Sequence, residues 1–338
     1  MTMNYTVTEV NLNHTEWWTD RIKAVPYDSL MTYFLIIDYI IIVPIIVGNL
    51  LILISICRYQ RLRTRMHILI GNLAVSDLLL GAIFIPYDIL FMTNLEFTSN
   101  MYICLTRTAL LYTFLGASVL NLLAISFERY ISIIHPLYPW EHSKFILVGI
   151  ISASWIFSAT LGLLPLLGWN NWETGMPCDM ALVLTKPYRN LIFLFYLLSL
   201  IANFVMYVKV VRSALRHIRA IEAHPSLKSN SVPVNIVSLS RPTKKNYKKT
   251  KLMMLLLGVF ALCWGPYMIL VFIDNFFLEE SSDLMTARKF VSALGMLNSG
   301  LNWIIFGLKN STFRSAFKDI LTCGHASSEG SLWTSTTC

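Results

Sequence analysis

Four polar side chains lie at similar depths within long apolar stretches of this chain. Asp77 falls nine residues into its stretch, about 14 Å by helical rise, and Ser118 falls about 16 Å from Arg129. By the same rise, Asn298 and Asn302 lie about 15 Å and 9 Å deep. Their oxygen atoms suit a small hard cation with waters, and such a site would explain polar groups that are costly in hydrocarbon. Hydrogen bonding among neighbouring helices is the alternative explanation.

Two other groups have the chemistry of conformational switches. In Cys263-Trp264-Gly265-Pro266 a large indole adjoins a helix-breaking proline, so a small displacement of Trp264 can swing the inner half of its helix. Glu128 and Arg129 form a charged pair at the end of the apolar run that begins at Cys104. Such a pair beside a cytoplasmic cleft can act as a charge switch. Trp264 as an ordinary core residue and Arg129 as a snorkelling anchor are the simpler interpretations.

Membrane helices are the elements that would position these groups. The 338-residue chain is 55% hydrophobic and 14% charged, with a mean hydropathy of +0.59, which is too apolar to coat a soluble domain. Seven apolar windows can each cross roughly 30 Å of hydrocarbon as a helix. They are Tyr33–Cys57, Ile68–Met92, Met101–Phe127, Phe145–Trp169, Tyr188–Val211, Leu252–Phe277 and Phe290–Leu308. The predicted fold is an all-α membrane protein, a seven-transmembrane helix bundle.

The net charge of +8 is concentrated beside the ends of these windows. The first loop between windows and the third cytoplasmic loop carry most of it, at Arg58, Arg61, Arg63 and Arg65, and at Arg212, Arg216, Arg219, Lys244, Lys245, Lys248, Lys249 and Lys251. By the positive-inside rule these loops are cytoplasmic and the N-terminus is outside. The charge therefore indicates membrane topology and no nucleic-acid partner. Because no apolar leader precedes Tyr33, we expect the first span to act as the anchor.

The same topology assigns modification sites. Asn4 and Asn13 begin glycosylation sequons in the N-terminal segment. Of six cysteines, Cys104 and Cys178 are the pair exposed to an oxidising compartment, so we expect a disulfide between them. Residues 310–323 have the spacing of a short amphipathic eighth helix on the inner leaflet, and Cys323 at its end is a candidate for palmitoylation.

A series of ordered motifs accompanies these features. They are Gly48-Asn49, Leu73–Asp77, Cys104 with Cys178, Glu128–Tyr130, Trp155, Tyr207, Cys263–Pro266 and NSGLNWIIF at Asn298–Phe306. Together they resemble the rhodopsin-like (class A) G-protein-coupled receptors over residues 33–323. The pattern is most similar to the cannabinoid, lysophospholipid, adenosine and melanocortin receptors.

The resemblance implies a multi-pass receptor of the plasma membrane that binds an extracellular ligand and activates heterotrimeric G proteins. Arrestin and a receptor kinase would act on its tail. The implied domains are an extracellular segment (1–30), a receptor domain with the eighth helix (31–323, third cytoplasmic loop 212–251) and a cytoplasmic tail (324–338). Asp77, Ser118, Asn298 and Asn302 would form an allosteric sodium site, with no other cofactor. Coupling and activation would involve Glu128, Arg129, Tyr130, Leu137, Tyr207, Trp264, Pro266 and Phe306.

Two departures from the family pattern concern signalling. The usual proline and tyrosine of span seven are Trp303 and Phe306 here, so the hydroxyl that would contact Tyr207 in the active state is missing. The inner end of span six, Lys244 to Lys251, lacks the acid that many relatives pair with Arg129. The first departure puts the active-state contact with Tyr207 in doubt. The second, which leaves Arg129 without an acid on span six, predicts appreciable basal activity.

The ligand is narrowed first by exclusion. Leu111 replaces the aspartate that aminergic receptors use, Met296 replaces the retinal-binding lysine, and Val271 replaces the asparagine that reads a purine. In favour of a lipid, Arg107 matches a basic residue that binds headgroups, and further cations follow at Lys186, Arg189, Arg288 and Lys289. The expected ligand-binding residues are Arg107, Leu111, Tyr112, Leu115, Tyr188, Trp264 and Lys289. They suit an anionic head and an apolar tail.

Other interpretations stay open at this point. The rim cations would also meet membrane headgroups, and lipid receptors of this subgroup usually close their outer loop with an internal disulfide. A nucleoside-like molecule or a peptide is the alternative ligand. A transporter or channel, with Asp77 on an ion path, is the alternative of a different class, although the ERY and CWGP motifs argue against it. An enzyme is not expected, because no nucleophile–base pair or metal-ligand spacing occurs.

Overall fold

The computed structural model describes residues 27–94, 97, 99–134, 144–176, 178–222, 235–276 and 282–322. In these ranges, seven helices are long and apolar enough to cross a membrane. They are α1 (Tyr27–Arg58), α2 (Arg65–Thr93), α3 (Met101–Ile134), α4 (Lys144–Leu163), α5 (Lys186–Glu222), α6 (Asn235–Phe276) and α7 (Ser282–Lys309). A shorter helix, α8 (Ser311–Leu321), follows. The predicted seven-helix bundle with an eighth helix is therefore confirmed.

Helix α3 is the central element of the bundle. It packs against α2, α4 and α5, and 67% of its most apolar window is buried, compared with 22% for α4 and for α5. The outward faces of α1, α4 and α5 expose large apolar side chains such as Tyr39, Ile156 and Phe204. Such faces are stable only against lipid, so the pattern of exposure agrees with a membrane bundle.

Helix α2 contains a widened turn. Residues Leu80–Phe84 are π-helical and separate Arg65–Leu79 from Ile85–Thr93. Pro86 follows directly, and its ring crowds the preceding turn while offering no N–H group. A π turn relieves this crowding and redirects the end of the helix that carries Asp88.

Two boundaries differ from the predicted windows. Helix α4 ends at Leu163 and does not reach Trp169, because the chain turns at Pro165, whose carbonyl accepts from the Asn170 side chain at 2.8 Å. Helices α5 and α6 continue into the loop expected at 212–251, to Glu222 and from Asn235, while their membrane-length spans end at Ser213 and begin at Lys251. Residues 212–222 are rich in Ala, Leu, Ile and Arg, which favour continuation of the helix.

Helix α8 is held by a cap at its first turn and by buried aromatic side chains. The Asn310 side chain accepts from the Thr312 amide at 3.0 Å and so caps the first turn. Phe313 and Phe317 are buried, and the Phe313 ring packs 5.4 Å from the rings of His67 and Phe306. The predicted amphipathic helix is thus anchored to α2 and α7 through Phe313.

Helices α1 and α7 approach closely at Gly48. A Cβ atom there would lie 1.8 Å from the Trp303 indole. The neighbouring Asn49 side chain donates to the Ser299 carbonyl at 3.1 Å. A glycine is therefore required opposite this tryptophan, which stands where the family pattern has proline.

Candidate functional site

A cavity opens at the end of the bundle that holds the Cys104–Cys178 disulfide. We call it the disulfide-end cavity. Of the expected ligand-binding residues, Arg107, Leu111, Tyr112, Trp264 and Lys289 line it. The structure thus brings together residues from α3, α6 and α7.

Tyr188 and Leu115 stand behind the cavity wall. Tyr188 is fully buried, and its hydroxyl donates to the Leu161 carbonyl at 3.0 Å, so α5 is tied to α4. Its ring packs edge-on against Tyr112 with centroids 6.1 Å apart. Leu115 is likewise buried in the core. Both residues support lining residues and are absent from the lining itself.

The floor of the cavity is aromatic. Trp264 and Tyr267 on α6 meet at 88° with ring centroids 5.9 Å apart, and the Tyr267 hydroxyl lies 3.4 Å from that of Tyr112. A Cβ at Gly295 would lie 2.7 Å from the Trp264 indole, so this glycine lets α7 approach the floor. The floor therefore joins α3, α6 and α7, so a displacement of Trp264 would change the packing among all three helices.

The arginine expected to bind a headgroup already has an internal counter-ion. Arg107 donates through Nε to the Asp88 carboxylate, and its guanidinium also lies 5.0 Å from the centroid of the Phe91 ring. Asp38, on α1, is buried as well and does not extend to headgroups. Asp88 was not among the expected site residues, because its position above the π turn of α2 could not be read from spacing.

A second charged group, centred on Asp274, lines the same cavity. Asp274 Oδ2 accepts from Arg189 Nη1 and from Arg288 Nη1, each at 2.8 Å, and Arg288 Nη2 donates to Asp179 Oδ1 at 3.1 Å. With Arg107, Asp88 and Lys289, the lining holds four cationic and three acidic side chains, a net formal charge of +1. The rim cations are therefore largely compensated, which the sequence did not indicate.

The loop between α4 and α5 is held over the cavity by the predicted disulfide. Cys104 at the start of α3 and Cys178 are joined, with Cα atoms 5.8 Å apart. The bond places Asp179 and Met180 in the cavity lining. Asp179 could have been suspected from the sequence, since it directly follows a cysteine tethered to α3.

Of the three other intramembrane polar residues expected at this depth, Ser118 and Asn302 hydrogen-bond to Asp77. Its Oδ1 atom accepts from Ser118 Oγ and from Ser299 Oγ, each at 2.8 Å, and its Oδ2 accepts from Asn302 Nδ2 at 2.6 Å. Asp77 is 1% exposed. Ser299 was missed, although it lies beside Asn298 on α7.

Asn298 completes this layer without a hydrogen bond of its own. Its Oδ1 atom is buried and has no partner among the described residues. The donor set is one carboxylate with hydroxyl and amide oxygens, and the ranges described hold no cluster of three His, Cys, Asp or Glu side chains. Such a set fits a hard monovalent cation and does not fit a transition metal.

The other end of the bundle carries Glu128, Arg129 and Tyr130. Arg129 is 6% exposed and forms a bidentate pair with Glu128, with Nε–Oε2 and Nη2–Oε1 both 2.5 Å. Lys209 Nζ lies 5.8 Å from the centroid of the Tyr130 ring. The pair leaves Arg129 with a partner on its own helix, so the missing acid of span six does not leave it unpaired.

The remaining coupling residues lie on three helices. Phe306 on α7 is fully buried and packs on α8, while Tyr207 on α5 is half-buried. Helix α6 continues through Pro266. Leu137, Asn4, Asn13 and Cys323 lie outside the described residues.

Comparison with known proteins gives a consistent result. The family model for the 7 transmembrane receptor (rhodopsin family) matches residues 48–306. The chain is 30% identical to sphingosine 1-phosphate receptor 3 of Takifugu rubripes, over 83% of this chain and 68% of that protein. It is 31% identical to neuromedin-U receptor 2 of Rattus norvegicus (82% and 72%) and 32% identical to sphingosine 1-phosphate receptor 2 of Homo sapiens (82% and 73%).

Proposed function

The chain belongs to the rhodopsin family of seven-transmembrane receptors, a G-protein-coupled family without enzymatic activity, and we propose that its ligand is an anionic lipid. The observation that carries the proposal is the disulfide-end cavity, with a net charge of +1 and an apolar interior at Leu111, Met268 and Val271. An anionic head would bind near Arg107 and a tail would bury against the apolar wall. Similarity to sphingosine 1-phosphate receptors supports this ligand class.

The proposal includes orientation and partners. The disulfide end and the N-terminus face outside the plasma membrane, as the basic loops at Arg58–Arg65 and beyond α5 indicate. Arrestin and a receptor kinase act on residues 324–338.

The Asp77 layer would hold a sodium ion through Asp77, Ser118, Asn298 and Asn302. The Oδ1 atom of Asn298, which has no partner among the described residues, supports a bound cation. Basal signalling follows from the acid that is missing at the inner end of span six, Lys244 to Lys251.

A peptide is the second candidate ligand. Three acids, Asp88, Asp179 and Asp274, line the same cavity and would suit basic groups of a peptide. Similarity to neuromedin-U receptor 2 of Rattus norvegicus supports this class to a comparable extent. The lipid needs the cationic side chains of the cavity, whereas the peptide needs its acidic side chains.

The discriminating experiment is G-protein activation in cells by sphingosine 1-phosphate, neuromedin U and adenosine. Arg107→Ala is expected to lower the potency of the lipid about 30-fold or more, which is ~2 kcal/mol. Lys186→Ala, an exposed cation outside the cavity lining, is the matched control and is expected to respond as wild type. Activation by neuromedin U alone would reject the lipid, and equal lipid potency in both variants at equal surface expression would reject headgroup binding at Arg107.

A further inference from the structure

The charged group on α5, α6 and α7 has the geometry of an internal latch. Asp274, near the end of α6, accepts from Arg189 on α5 and from Arg288 on α7 with the same oxygen, Oδ2, at 2.8 Å in each case. The three side chains are buried, at 2%, 8% and 10% exposure respectively. A buried ion pair loses much stability when one partner leaves, so Asp274 holds the ends of three helices together.

Asp274 satisfies this site incompletely. Its second oxygen, Oδ1, is buried without a donor in the described part of the chain, and Arg189 Nε is buried without an acceptor there. Both arginines therefore donate to Oδ2 of Asp274, while Oδ1 of Asp274 and the Nε–H group of Arg189 have no partner among the described residues. Native structures rarely leave such groups unpaired, and they occur where a ligand or water completes the site.

An acidic group with two or three free oxygens would match the arginines better than Asp274 does. Carboxylate and phosphate groups accept parallel N–H bonds from a guanidinium, and two converging guanidiniums can bind separate oxygens of one group. All three latch residues line the disulfide-end cavity, so such a group can reach them. Asp179, which also bonds Arg288, provides a second acid that fixes this arginine from the loop side.

We propose that Arg189 and Arg288 form a binding subsite for an acidic group of the ligand, and that Asp274 occupies this subsite in the absence of ligand. When the acidic group displaces Asp274, the end of α6 is freed from α5 and α7. The inference rests on the proposed function for the class of ligand, and it adds Arg189 and Arg288 to Arg107 as residues that bind the acidic group of that ligand.

The location on α6 gives the exchange a consequence for signalling. Asp274 lies eight residues from Pro266, about 12 Å along the helix, on the side of the cavity. Pro266 cannot donate to the preceding turn, so the segment between the two residues is joined to the rest of α6 by a weakened ladder. Release of Asp274 therefore allows this segment and the Trp264 floor to move while the arginines stay on the ligand.

Basal G-protein activation in cells tests the latch without any ligand. Asp274→Asn is expected to raise basal signalling above wild type at equal surface expression, because the neutral amide no longer holds both arginines. Glu173→Gln removes an exposed acid of the α4–α5 loop and is the matched control, with basal signalling expected to stay at the wild-type level. The double variant Arg189→Gln/Arg288→Gln breaks the latch from the other side and is expected to raise basal signalling as well. Unchanged or lower basal signalling in both latch variants would overturn the latch.

Ligand responses test the subsite separately. Sphingosine 1-phosphate is expected to gain about fivefold or more in potency on Asp274→Asn and to lose at least as much on the arginine double variant. Sphingosine lacks the phosphate, so its potency is expected not to fall on the arginine double variant. Equal lipid potency on all variants would overturn the subsite. No lipid response from wild type or any variant would instead reject the proposed agonist, while the basal measurement still decides the latch.

Discussion

At the scale of single residues, Trp303 is accommodated by the absence of a side chain on another helix. Its indole lies against Gly48 of α1, where a Cβ would be 1.8 Å away, and its Nε1 is buried without an acceptor among the residues that the structure describes. The contact is therefore steric and depends on glycine. The contact between Gly48 and Trp303 could not be predicted from either residue alone.

Gly48→Ala is expected to destabilise the receptor by about 1–3 kcal/mol, because the added methyl group overlaps the Trp303 ring. Thermal unfolding of the purified protein in detergent measures the effect. Gly149→Ala in α4, where nothing lies within 4 Å of the new Cβ, is the control and is expected to be neutral or slightly stabilising. Trp303→Leu in the Gly48→Ala background should recover part of the loss. Equal unfolding temperatures for the two alanine variants would contradict the steric account.

The Asp77 layer gives a second prediction at this scale. Replacing N-methylglucamine with sodium at constant ionic strength is expected to lower basal signalling of the wild type, because a cation would stabilise the arrangement around Asp77. Asp77→Asn should abolish this sodium dependence. Asp38→Asn removes another buried acid of a span and should retain it. A sodium response that survives Asp77→Asn would count against the site.

The sequence identified most of this layer but not the charge pairs of the cavity. Asp77, Ser118, Asn298 and Asn302 could be grouped because depth in a membrane helix follows from residue number. The pairing of Arg107 with Asp88, by contrast, depends on how α2 turns through its π segment and faces α3. Partner choice among several nearby acids is a tertiary property that spacing does not determine.

At the scale of elements, α8 shows how a helix of low apolar content is held. One aromatic side chain, Phe313, is fully buried between His67 of α2 and Phe306 of α7, while Leu321 on the same helix is 66% exposed. Amphipathic spacing in the sequence was sufficient to predict the helix. The residues it packs on were not predictable, because they come from distant parts of the chain.

Phe313→Ala is expected to cost about 3–5 kcal/mol, since it removes a fully buried ring that joins three helices. Leu321→Ala in the same helix should cost little, because its side chain is mostly exposed. Thermal unfolding in detergent, together with hydrogen exchange of α8 amides, distinguishes local release from global loss. Similar unfolding temperatures for the two variants would show that α8 is not anchored through Phe313.

At the scale of the whole molecule, the two ends of the bundle differ in how they hold charge. The disulfide end joins α2, α3, α5, α6 and α7 through buried ion pairs between different helices, whereas Arg129 pairs with Glu128 of its own helix. Among the described residues, Arg129 pairs with Glu128 and forms no ion pair with α6. Among the described residues, the ion pairs that restrain α6 therefore lie at the disulfide end of the bundle, at Asp274.

Appreciable basal activity is the prediction that follows for the molecule as a whole. Signalling in cells without added ligand is expected to exceed that of Arg129→Ala at matched surface expression, because no ion pair joins Arg129 to α6 among the side chains that the structure describes. Lys251→Ala, an exposed cation at that end of α6, is the control and should retain wild-type basal signalling. Basal signalling no higher than in Arg129→Ala would contradict the prediction.

The extension of α6 beyond the bilayer has a mechanical consequence. From Pro266 to Pro242, the next residue that interrupts the hydrogen-bond ladder, α6 measures about 36 Å, whereas Pro266 to Asp274 measures roughly 12 Å. A tilt of about 5° about Pro266 would move Pro242 by about 3 Å and Asp274 by about 1 Å. The geometry multiplies displacement by about three, so a shift of about 1 Å at Asp274 corresponds to a shift of about 3 Å at Pro242.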